Sequence, residues 1–467
     1  MTDALLPALR AAVGASHVMT EGDLSAYELD WRKRYRGKAL AVVRPGGTAE
    51  VVAVVRACAA AGVSLVPQGG NTGLVGGGVT DASGRQVLLS LTRLNKIRHI
   101  DADNLSFTVE AGCVLQTLQA AAEAQGFLFP LSLAAEGSCT IGGNLASNAG
   151  GTQVLRYGNA RELCLGLEVV TPRGEVWEGL SGLRKDNTGY DLRDLYIGSE
   201  GTLGIITAAT LKLFPLPGAV TTALASCDSI DACVALLRLA RQHLGAGLTG
   251  FEVMERFALA LVSQHFPQLP RPLPEAPWTV LLELAAPTTE AARAQLEALL
   301  EAALEAGVVS DAAVAESLAQ AKSLWHLRES IPLAQAEEGL NIKNDIALPV
   351  SAIPEFVRST DAALRAALPG VRLVNFGHLG DGNLHYNVQA PEGGSASDFL
   401  KAHEHAVNTL VYDAVQQWGG SISAEHGIGL LKREELAARK SPVALGLMRA
   451  IKAALDPAGL MNPGKVL

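Results

Sequence analysis

Hydrophobic and polar positions in the first half of the chain alternate with the periods of short strands and helices. From Ala39 the order is a β-rich run (ALAVVRP), a turn (GGT), a helical run (AEVVAVVRACAAAG) that stops at Gly62, and a second strand (VSLVPQ). The opening MTDALLPALRAAVG predicts a short amphipathic helix that ends near Gly14. We therefore expect a mixed α/β first half that enters its sheet through a βαβ-like unit.

The same half contains further short elements. The runs QVLLSL and SFTVEAG predict strands, and VLQTLQAAAEAQG predicts a helix. The run LCLGLEVVTPRGEVWEG predicts a hairpin that turns at residues 172–174.

The pattern changes near Pro217. Alanine- and leucine-rich helices, among them ACVALLRLARQHLG and TTEAARAQLEALLEAALEAG, then alternate with strands such as WTVLLELAAP. The proline-dense HFPQLPRPLPEAPW predicts an irregular loop, and the stretch from Ala424 predicts helix with a turn at Asn462 and Pro463. These changes predict a first domain over 1–217, a second domain over 218–423 and a helical C-terminal segment over 424–467.

Composition narrows the class of protein. A chain of 467 residues is long for one compact core, and 48 glycines exceed the usual share. The net charge of -9 includes no basic tract, so a nucleic-acid partner is not expected. Six scattered cysteines without a CxxC pair indicate reduced thiols rather than an iron–sulfur or zinc cluster. Since no apolar run reaches about 20 residues, no membrane span is expected, and we predict a soluble cytoplasmic protein.

Three glycine-rich segments are the first candidates for binding chemistry. PQGGNTGLVGGG (67–78) follows a predicted strand, so its backbone N–H groups can converge on an anion, with side-chain donors from Asn71 and Thr72. It lacks the GxGxxG spacing of a dinucleotide fingerprint, and taken alone a mobile surface loop explains it equally well. GSCTIGGNLASNAGG (137–151) predicts a second such loop, and YIGSEGTLGIIT (196–207) adds a third segment before an apolar strand.

Together the three segments suit a long, bent ligand with a pyrophosphate and a flat ring system, which the glycines at 142 and 143 could approach closely. The predicted cofactor-binding residues are Pro67, Gln68, Gly69, Gly70, Asn71, Thr72, Gly73, Gly137, Ser138, Gly142, Gly143, Asn144, Ser147, Asn148, Gly150, Gly201, Ile206 and Asn462.

A second candidate region is FGHLGDGNLHYNV. Its Gly-Asp-Gly turn can fold the run back and bring His378 and His385 to one place, with Leu379 and Leu384 packed beneath. From the residues alone, ordinary core or surface histidines are equally good interpretations. Further on, SAEHGIG places Glu425 and His426 on a turn before the helix LLKREELAARK.

The chain resembles the vanillyl-alcohol-oxidase flavoproteins that act as FAD-linked D-2-hydroxy-acid dehydrogenases. The resemblance is carried over most of the chain by PQGGNTG, GSCTIGGNLASNAGG, LRKDNTGYDLRDLYIGSEGTLGIIT, GHLGDGNLHYN, SAEHGIG and MNPGKVL. It implies an α+β fold with a split FAD-binding domain of two α/β subdomains over 1–217 and an inserted α+β substrate and metal domain over 218–423. A helical C-terminal segment over 424–467 is then expected to return to the flavin and contribute to the active site. Some members attach flavin through a histidine in the first glycine segment. PQGGNTGLVGGG contains none, which implies non-covalent FAD.

The resemblance also implies a metal site and a base. In the family the positions of His378, His385 and Glu425 are ligands of a catalytic divalent metal, for which Zn²⁺ is favoured while manganese, cobalt and iron stay open. Such a metal makes the alkoxide of a hydroxy acid accessible, so that a hydride can pass from C2 to flavin N5. His426 is the candidate catalytic base, the alternative being that it only orients Glu425.

Substrate carboxylates need cations, and the family match assigns Arg328 and Lys343 to them, with a further hydrogen bond from Asn387. The segment LRKDNTGYDLR is most similar to that of D-2-hydroxyglutarate dehydrogenases, which favours D-2-hydroxyglutarate as substrate. D-lactate and glycolate dehydrogenases share only the general arrangement of the motifs. Pro332 stands where hydroxyglutarate-specific relatives often carry a polar residue, which argues for caution about the distal carboxylate.

Other functions fit the sequence less well. A metallohydrolase would leave the glycine segments unused, a nicotinamide enzyme would need a Rossmann fingerprint, and a flavin-binding module without turnover would not need the histidines. Because no cysteine cluster could hold an iron–sulfur centre, electrons are expected to leave to a separate acceptor, an electron-transfer flavoprotein or a quinone. The oligomeric state is left open, with a homodimer among the options.

Overall fold

The structure is a computed structural model that describes residues 2–467, with side chains from residue 4 onward. The chain divides into two units. The first contains residues up to 150, 158–216 and 425–467, and the second contains 151–157 and 217–424. Residues 151–157 belong to the second unit although they fall within the stretch 1–217. Both units are therefore assembled from segments that are distant in sequence.

Helices and strands alternate along most of the chain. The helices are α1 Thr2–Val13, α2 Ser25–Glu28, α3 Thr48–Ala61, α4 Leu115–Glu123, α5 Ile141–Ser147, α6 Val154–Tyr157, α7 Ala160–Leu163, α8 Arg193–Tyr196, α9 Ile230–Leu244, α10 Arg256–His265, α11 Thr289–Glu305, α12 Leu318–Glu329, α13 Ile331–Glu337, α14 Ile353–Ala367, α15 Ala396–Gln417, α16 Arg433–Arg439 and α17 Pro442–Leu455. The strands are β1 Val18–Met19, β2 Ala39–Val43, β3 Leu65–Gln68, β4 Gln86–Ser90, β5 Ile97–Asp101, β6 Ser106–Glu110, β7 Phe127–Leu128, β8 Cys164–Val170, β9 Val176–Gly179, β10 Ile205–Lys212, β11 Phe214–Pro215, β12 Ala219–Cys227, β13 Leu248–Glu255, β14 Trp278–Ala286, β15 Asp311–Val314, β16 Asp345–Ala347, β17 Arg372–Gly377 and β18 Asn383–Gln389.

The first sheet of the first unit has the order β1-β2-β4-β3. Strands β2 and β3 both run parallel to β4, so α3 crosses from one side of β4 to the other. The predicted β-α-β order is confirmed, with β4 inserted between its two strands. Gly62 ends α3 at φ 64, a left-handed conformation that glycine adopts without steric cost. Apolar side chains of α1 and α3 pack on this sheet.

The second sheet of this unit has the order β5-β6-β10-β8-β9 and antiparallel neighbours. Strands β8 and β9 form the hairpin that the sequence predicts, with Val170 opposite Val176. The C-terminal stretch was predicted to be helical from Ala424 onward, and this prediction is wrong for its two ends. Helix covers only α16 and α17, because the remaining backbone bonds to the first unit, for example Asn462 N to Leu65 O at 2.8 Å.

The segment 137–151 was predicted to be a loop, which is also wrong in its middle. Residues 141–147 form α5, which ends at Asn148 in a left-handed conformation with φ 53. Two glycines in this helix serve close packing rather than chain flexibility. A Cβ at Gly142 would lie 2.6 Å from the Cβ of Ala111, so the helix can approach the neighbouring backbone only without a side chain there.

The second unit contains one antiparallel sheet with the order β15-β12-β14-β13-β17-β18-β16. Alternate residues of its strands enter two apolar clusters: Val253 belongs to one and Met254 to the other. Since successive side chains of a strand point to opposite faces, helices cover the sheet on both sides. Helices α9, α11, α14 and α15 contribute to the first cluster, and α10, α12 and α13 to the second.

Among residues 2–467, none of the helices has the length and apolar character needed to cross a membrane.

Candidate active site

The three glycine-rich segments of the first unit line one cleft. It encloses about 1050 Å³, including the space open to solvent. From the first segment, residues 67–73 and 75–79 line it, α5 contributes five residues, and the third segment contributes residues on both sides of Gly201. A strand end, a helix and a strand start thus meet around one cleft.

The backbones of the first two glycine-rich segments approach each other closely at this cleft. A Cβ at Gly70 would lie 2.0 Å from the carbonyl oxygen of Ser138, and one at Gly69 would lie 2.3 Å from Thr140 Oγ1. Side chains at these positions would therefore separate the first two glycine segments. Their glycines bring main-chain donors and acceptors to the wall of the cleft, where a phosphate or a flavin ring can meet them.

Two polar residues of the first segment hold the loop rather than offering their amide donors to a ligand. Gln68 Nε2 donates to the carbonyl oxygens of Tyr27 and Gly78, both at 2.8 Å. Asn71 Nδ2 donates to Ala26 O at 3.0 Å and Leu29 O at 2.9 Å. An anion would have to compete with these backbone carbonyls for the Asn71 side-chain donor, so the expected role of Asn71 stays a prediction.

The C-terminal turn brings His426 to the same cleft. The turn is held by Glu200, whose carboxylate accepts from Ile428 N at 2.7 Å and Gly429 N at 2.8 Å. Burial raises the pKa of the Glu200 carboxyl above its usual range, against the effect of these hydrogen bonds. Glu425, one residue before His426, lies against Gly150, where a Cβ would meet its Oε1 at 2.7 Å.

Five predicted cofactor residues do not line the cleft: Gly137, Ser138, Asn148, Gly150 and Asn462. Two of them hold its walls. Asn148 Oδ1 accepts from Arg161 N at 3.0 Å. Asn462 Nδ2 donates to Gly77 O at 3.0 Å and Glu200 O at 2.7 Å. Sequence reasoning missed other lining residues, namely Asp30, Val75, Gly76, Gly77, Gly78, Val79, Leu91, Cys139, Thr140, Ala146, Ser199, Glu200, Gly204, Ile205 and, as a cleft residue, His426. The glycines among them were visible in the same motifs.

In the second unit the strands β17 and β18 form a hairpin around the Gly-Asp-Gly turn. Gly382 has φ 88, and a Cβ there would lie 2.3 Å from Leu348 O, so the turn requires glycine. The hairpin brings the imidazole rings of His378 and His385 to a centroid separation of 5.4 Å. Leu379 and Leu384 are fully buried beneath it.

A carboxylate that sequence reasoning did not single out lies beside these rings. Glu252, on β13, is 1% exposed, and its Oε1 lies 2.7 Å from His378 Nδ1. Its Oε2 accepts from Arg328 Nε at 2.9 Å and lies 2.7 Å from Arg328 Nη2. Burial would raise the pKa of the Glu252 carboxyl, but its electrostatic interactions and hydrogen bonds with His378 and Arg328 outweigh this effect and hold that pKa below the usual range. One signal was present: Glu252 is the only charged residue in the apolar run GFEVM.

The predicted substrate-binding residues lie in the same unit. Arg328 is 5% exposed in the last turn of α12, and its guanidinium carbon lies 4.8 Å from the centroid of the Phe376 ring. Lys343 is half-buried, two residues before β16. Pro332 occupies the first turn of α13, where proline is well tolerated.

Asn387 is buried with both ends of its amide engaged. Nδ2 donates to Gln335 Oε1 at 3.0 Å, and Oδ1 accepts from Asn344 N at 3.2 Å. A hydrogen bond from Asn387 to a substrate would have to compete with these contacts. The expected role of Asn387 therefore stays a prediction.

The residues present fit both groups that the sequence implies. In the cleft, the buried Thr140 Oγ1 has no hydrogen-bond partner among the described residues, which is typical of a polar site awaiting a ligand. In the second unit, His378 and His385 offer two imidazole nitrogens. A carboxylate on Nδ1 of His378 is the usual partner of a metal-binding histidine. Glu425, the predicted third ligand, belongs to the first unit, and the set of three stays a prediction.

Family comparisons agree over both halves of the chain. Residues 39–179 match an FAD binding domain, and residues 216–466 match the C-terminal domain of FAD linked oxidases. A protein of Xanthomonas citri pv. viticola named D-2-hydroxyglutarate dehydrogenase is 44% identical, over 100% of this chain and 97% of the relative. A protein of Danio rerio named mitochondrial D-2-hydroxyglutarate dehydrogenase is 40% identical, over 96% of this chain and 82% of the relative.

Solved structures show the same fold. A p-cresol methylhydroxylase aligns with a TM-score of 0.78 at 17% identity, covering 100% of this chain and 96% of the other. An alkyldihydroxyacetonephosphate synthase aligns with a TM-score of 0.74 at 16% identity, covering 99% and 84%. The expected fold class, a two-domain FAD-binding fold of the vanillyl-alcohol-oxidase type, is confirmed.

Proposed function

Because the chain belongs to the FAD-linked oxidases, we propose that it is an FAD-dependent D-2-hydroxy-acid dehydrogenase whose leading substrate is D-2-hydroxyglutarate, oxidised to 2-oxoglutarate. The observation that carries the proposal is full-length identity of 38–44% to relatives named for this reaction. The cleft lined by the three glycine segments supports the flavin part of it.

Two groups would supply chemistry that side chains lack. FAD, bound non-covalently in the cleft, would accept a hydride from C2, and a divalent metal held by His378, His385 and Glu425, with zinc favoured, would ease ionisation of the substrate hydroxyl. The chain's own residues then have three tasks: to hold these groups, to bind the acid and to take up a proton.

His426 is the residue proposed to take the hydroxyl proton. Its position on the wall of the cleft supports this role, because a base must lie close to the place where the hydride leaves. An imidazole suits the task since its ordinary pKa is close to working pH. Positive φ at Gly427, 78°, lets the backbone turn directly after His426 and fixes the direction in which the chain leaves the site.

Arg328 and Lys343 are proposed to bind the carboxylates of the acid. A planar guanidinium can meet a carboxylate with two parallel hydrogen bonds, and Lys343 offers a second cation suited to a diacid. The electrons then pass to a separate acceptor, an electron-transfer flavoprotein or a quinone. D-Lactate or glycolate remains the alternative substrate, since Pro332 offers no polar group to a distal carboxylate.

A substrate panel tests this assignment. With an artificial electron acceptor, kcat/KM is measured for D-2-hydroxyglutarate, D-malate, D-lactate and glycolate, with L-2-hydroxyglutarate as the stereochemical control. We expect D-2-hydroxyglutarate to give the highest value and the L-enantiomer to give none. A higher value for D-lactate would move the assignment to the monoacid.

Two measurements test the cofactors. Dialysis against a chelator is expected to abolish turnover while the yellow colour stays, and Zn²⁺ should restore the rate. Unchanged turnover would contradict the proposed role of the metal.

Acid precipitation should release the flavin into the supernatant, because the first glycine segment has no histidine. Colour retained in the pellet would show a covalent link.

A further inference from the structure

We infer that Glu252 is a positioning residue that fixes His378 and Arg328 relative to one another. One buried carboxylate thus orients both the proposed metal ligand and the proposed carboxylate-binding cation. This inference deepens the proposed function and rests on it. All three residues belong to the second unit, on β13, after β17 and in α12.

Each oxygen of Glu252 serves one partner. Oε1 lies 2.7 Å from His378 Nδ1, while Oε2 lies 2.9 Å from Arg328 Nε and 2.7 Å from Arg328 Nη2. The carboxylate is 1% exposed, and its two partners are 7% and 5% exposed. Water therefore hardly screens these contacts, and none of the three side chains can move without breaking a buried hydrogen bond.

The contact with Oε1 determines the tautomer of His378. An ionised carboxylate only accepts, so the ring must carry its proton on Nδ1. The lone pair of the neutral ring then lies on Nε2, which becomes the nitrogen that can coordinate a metal. The contact also fixes the rotation of the ring, and a ligand held in one orientation binds more tightly than one that must first be ordered.

The contact with Oε2 determines the orientation of Arg328. Two donors of the guanidinium converge on one oxygen, and its face lies over the Phe376 ring at 4.8 Å. We expect the Nη1 side of the guanidinium, which takes no part in these contacts, to meet the substrate carboxylate. Phe376 also contacts His385, with ring centroids 4.9 Å apart, so the same side chains connect the arginine to the second histidine.

A glutamate on a neighbouring strand provides a matched control. Glu283 of β14 is also partly buried, but it accepts from Thr249 Oγ1 at 2.8 Å and Trp325 Nε1 at 2.8 Å and contacts neither His378 nor Arg328. Burial raises the pKa of the Glu283 carboxyl above its usual range. An effect specific to positioning should appear in Glu252→Gln and not in Glu283→Gln.

The experiment compares wild type, Glu252→Gln, Glu252→Asp and Glu283→Gln as flavin-loaded full-length protein. Zn²⁺ per protein is measured after dialysis, Zn²⁺ affinity by competition with a chromogenic chelator, and kcat and KM for D-2-hydroxyglutarate separately. Loss of an outer partner of a metal-binding histidine typically weakens metal affinity about 10- to 100-fold. We expect a loss of that size in Glu252→Gln together with a raised KM, a smaller loss in Glu252→Asp, and wild-type values in Glu283→Gln.

The outcomes separate this inference from the proposed function. If wild type binds no Zn²⁺, the metal part of the proposed function fails and the inference fails with it. If wild type binds Zn²⁺ and Glu252→Gln binds it equally well with unchanged KM, only the inference fails. A purely structural role would lower folded yield and leave metal affinity and KM of the folded fraction unchanged. Should Glu252→Gln not fold, wild-type affinity and KM in Glu252→Asp would overturn the inference.

Discussion

Two glutamates three residues apart on β13 show how neighbours set the charge of a buried group. The contacts of Glu252 with His378 and Arg328 hold the pKa of its carboxyl below the usual range. Burial, followed by the negative charge of Asp361, raises the pKa of the Glu255 carboxyl to about 7, and its Oε2 has no hydrogen-bond partner among the described residues. The same strand therefore carries a carboxylate that is fixed as an anion and one that resists ionisation.

Glu255 gives the folded protein a dependence on pH. In the folded protein the pKa of Glu255 lies above the ordinary 4.5. The contribution of this group to the free energy of unfolding is therefore fully present below about pH 4.5 and is lost as pH rises through about 7. Glu255→Gln should remove this loss. Between pH 5 and pH 8 the free energy of unfolding should therefore fall by on the order of 2 kcal/mol less in the variant than in wild type. Denaturant unfolding at both pH values measures it, with exposed Glu301→Gln as control. Parallel changes in wild type and Glu255→Gln would contradict the prediction.

Arg328 gives a kinetic prediction. Arg328→Ala should raise KM for the hydroxy acid and lower kcat/KM by about 10- to 100-fold, as expected from the loss of about 1.5–3 kcal/mol of charged hydrogen bonding. Steady-state kinetics with a check of flavin content measure this, and the exposed Arg358→Ala of the same unit serves as control. Kinetics close to wild type would remove Arg328 from the site.

At this scale the sequence was informative where partners are close along the chain. The Gly-Asp-Gly turn indicated that the chain can fold back and bring His378 and His385 together, although the residues alone fitted ordinary histidines equally well. Glu252 was missed because its partners are 76 and 126 residues away, and local pattern carries no information on such contacts. The contacts of the Asn71 amide were not predicted for the same reason, since it bonds to backbone 42 and 45 residues distant.

Among the elements, α5 shows most directly how one helix can serve both the fold and the site. It contains two adjacent glycines with different surroundings. A Cβ at Gly142 would lie 2.6 Å from Ala111 Cβ and 2.9 Å from Ala111 O, whereas one at Gly143 would meet Thr140 Oγ1 only at 3.6 Å. Both glycines line the cleft. A glycine-rich run suggested a loop because glycine disfavours helix, and tertiary packing overrode that preference.

The two glycines should respond differently to alanine. Gly142→Ala should lower the free energy of unfolding by about 1–3 kcal/mol, because the methyl group overpacks a site bounded by backbone. Gly143→Ala should leave stability unchanged or slightly raised, since alanine favours helix, while the affinity of the apoprotein for FAD falls. Thermal unfolding and flavin titration distinguish them. Equal loss of stability in both variants would contradict this account of α5.

On the scale of the whole molecule, the first unit depends on the last 43 residues of the chain. Lys452 of α17 illustrates this dependence. Its Nζ donates to Thr202 O at 2.6 Å, Met461 O at 2.9 Å and Asp456 Oδ2 at 2.6 Å. Hydrophobic periodicity predicted the alternation of strands and helices and the change near Pro217. It could not show that the C-terminal segment joins residues 228 to 385 positions earlier, because that pairing is set by tertiary contacts.

Lys452→Met should therefore lower stability and flavin retention together. Loss of three partly buried contacts to one cation should cost about 2–4 kcal/mol. The cleft should then lose FAD, because the segment that carries His426 is less firmly held. The exposed Arg449→Met, one turn earlier on α17, is the control. Thermal unfolding with flavin release measures both effects, and full flavin retention in a destabilised variant would contradict the prediction.

The central claim is that bound flavin takes a hydride from a D-2-hydroxy acid. The most direct test is the visible spectrum of the purified flavin-loaded protein under anaerobic conditions, before and after stoichiometric D-2-hydroxyglutarate. We predict that the flavin absorption near 450 nm decreases as far as is typical when a bound isoalloxazine is reduced, and that 2-oxoglutarate appears. A spectrum that does not change with D-2-hydroxyglutarate, D-malate, D-lactate or glycolate would contradict the account.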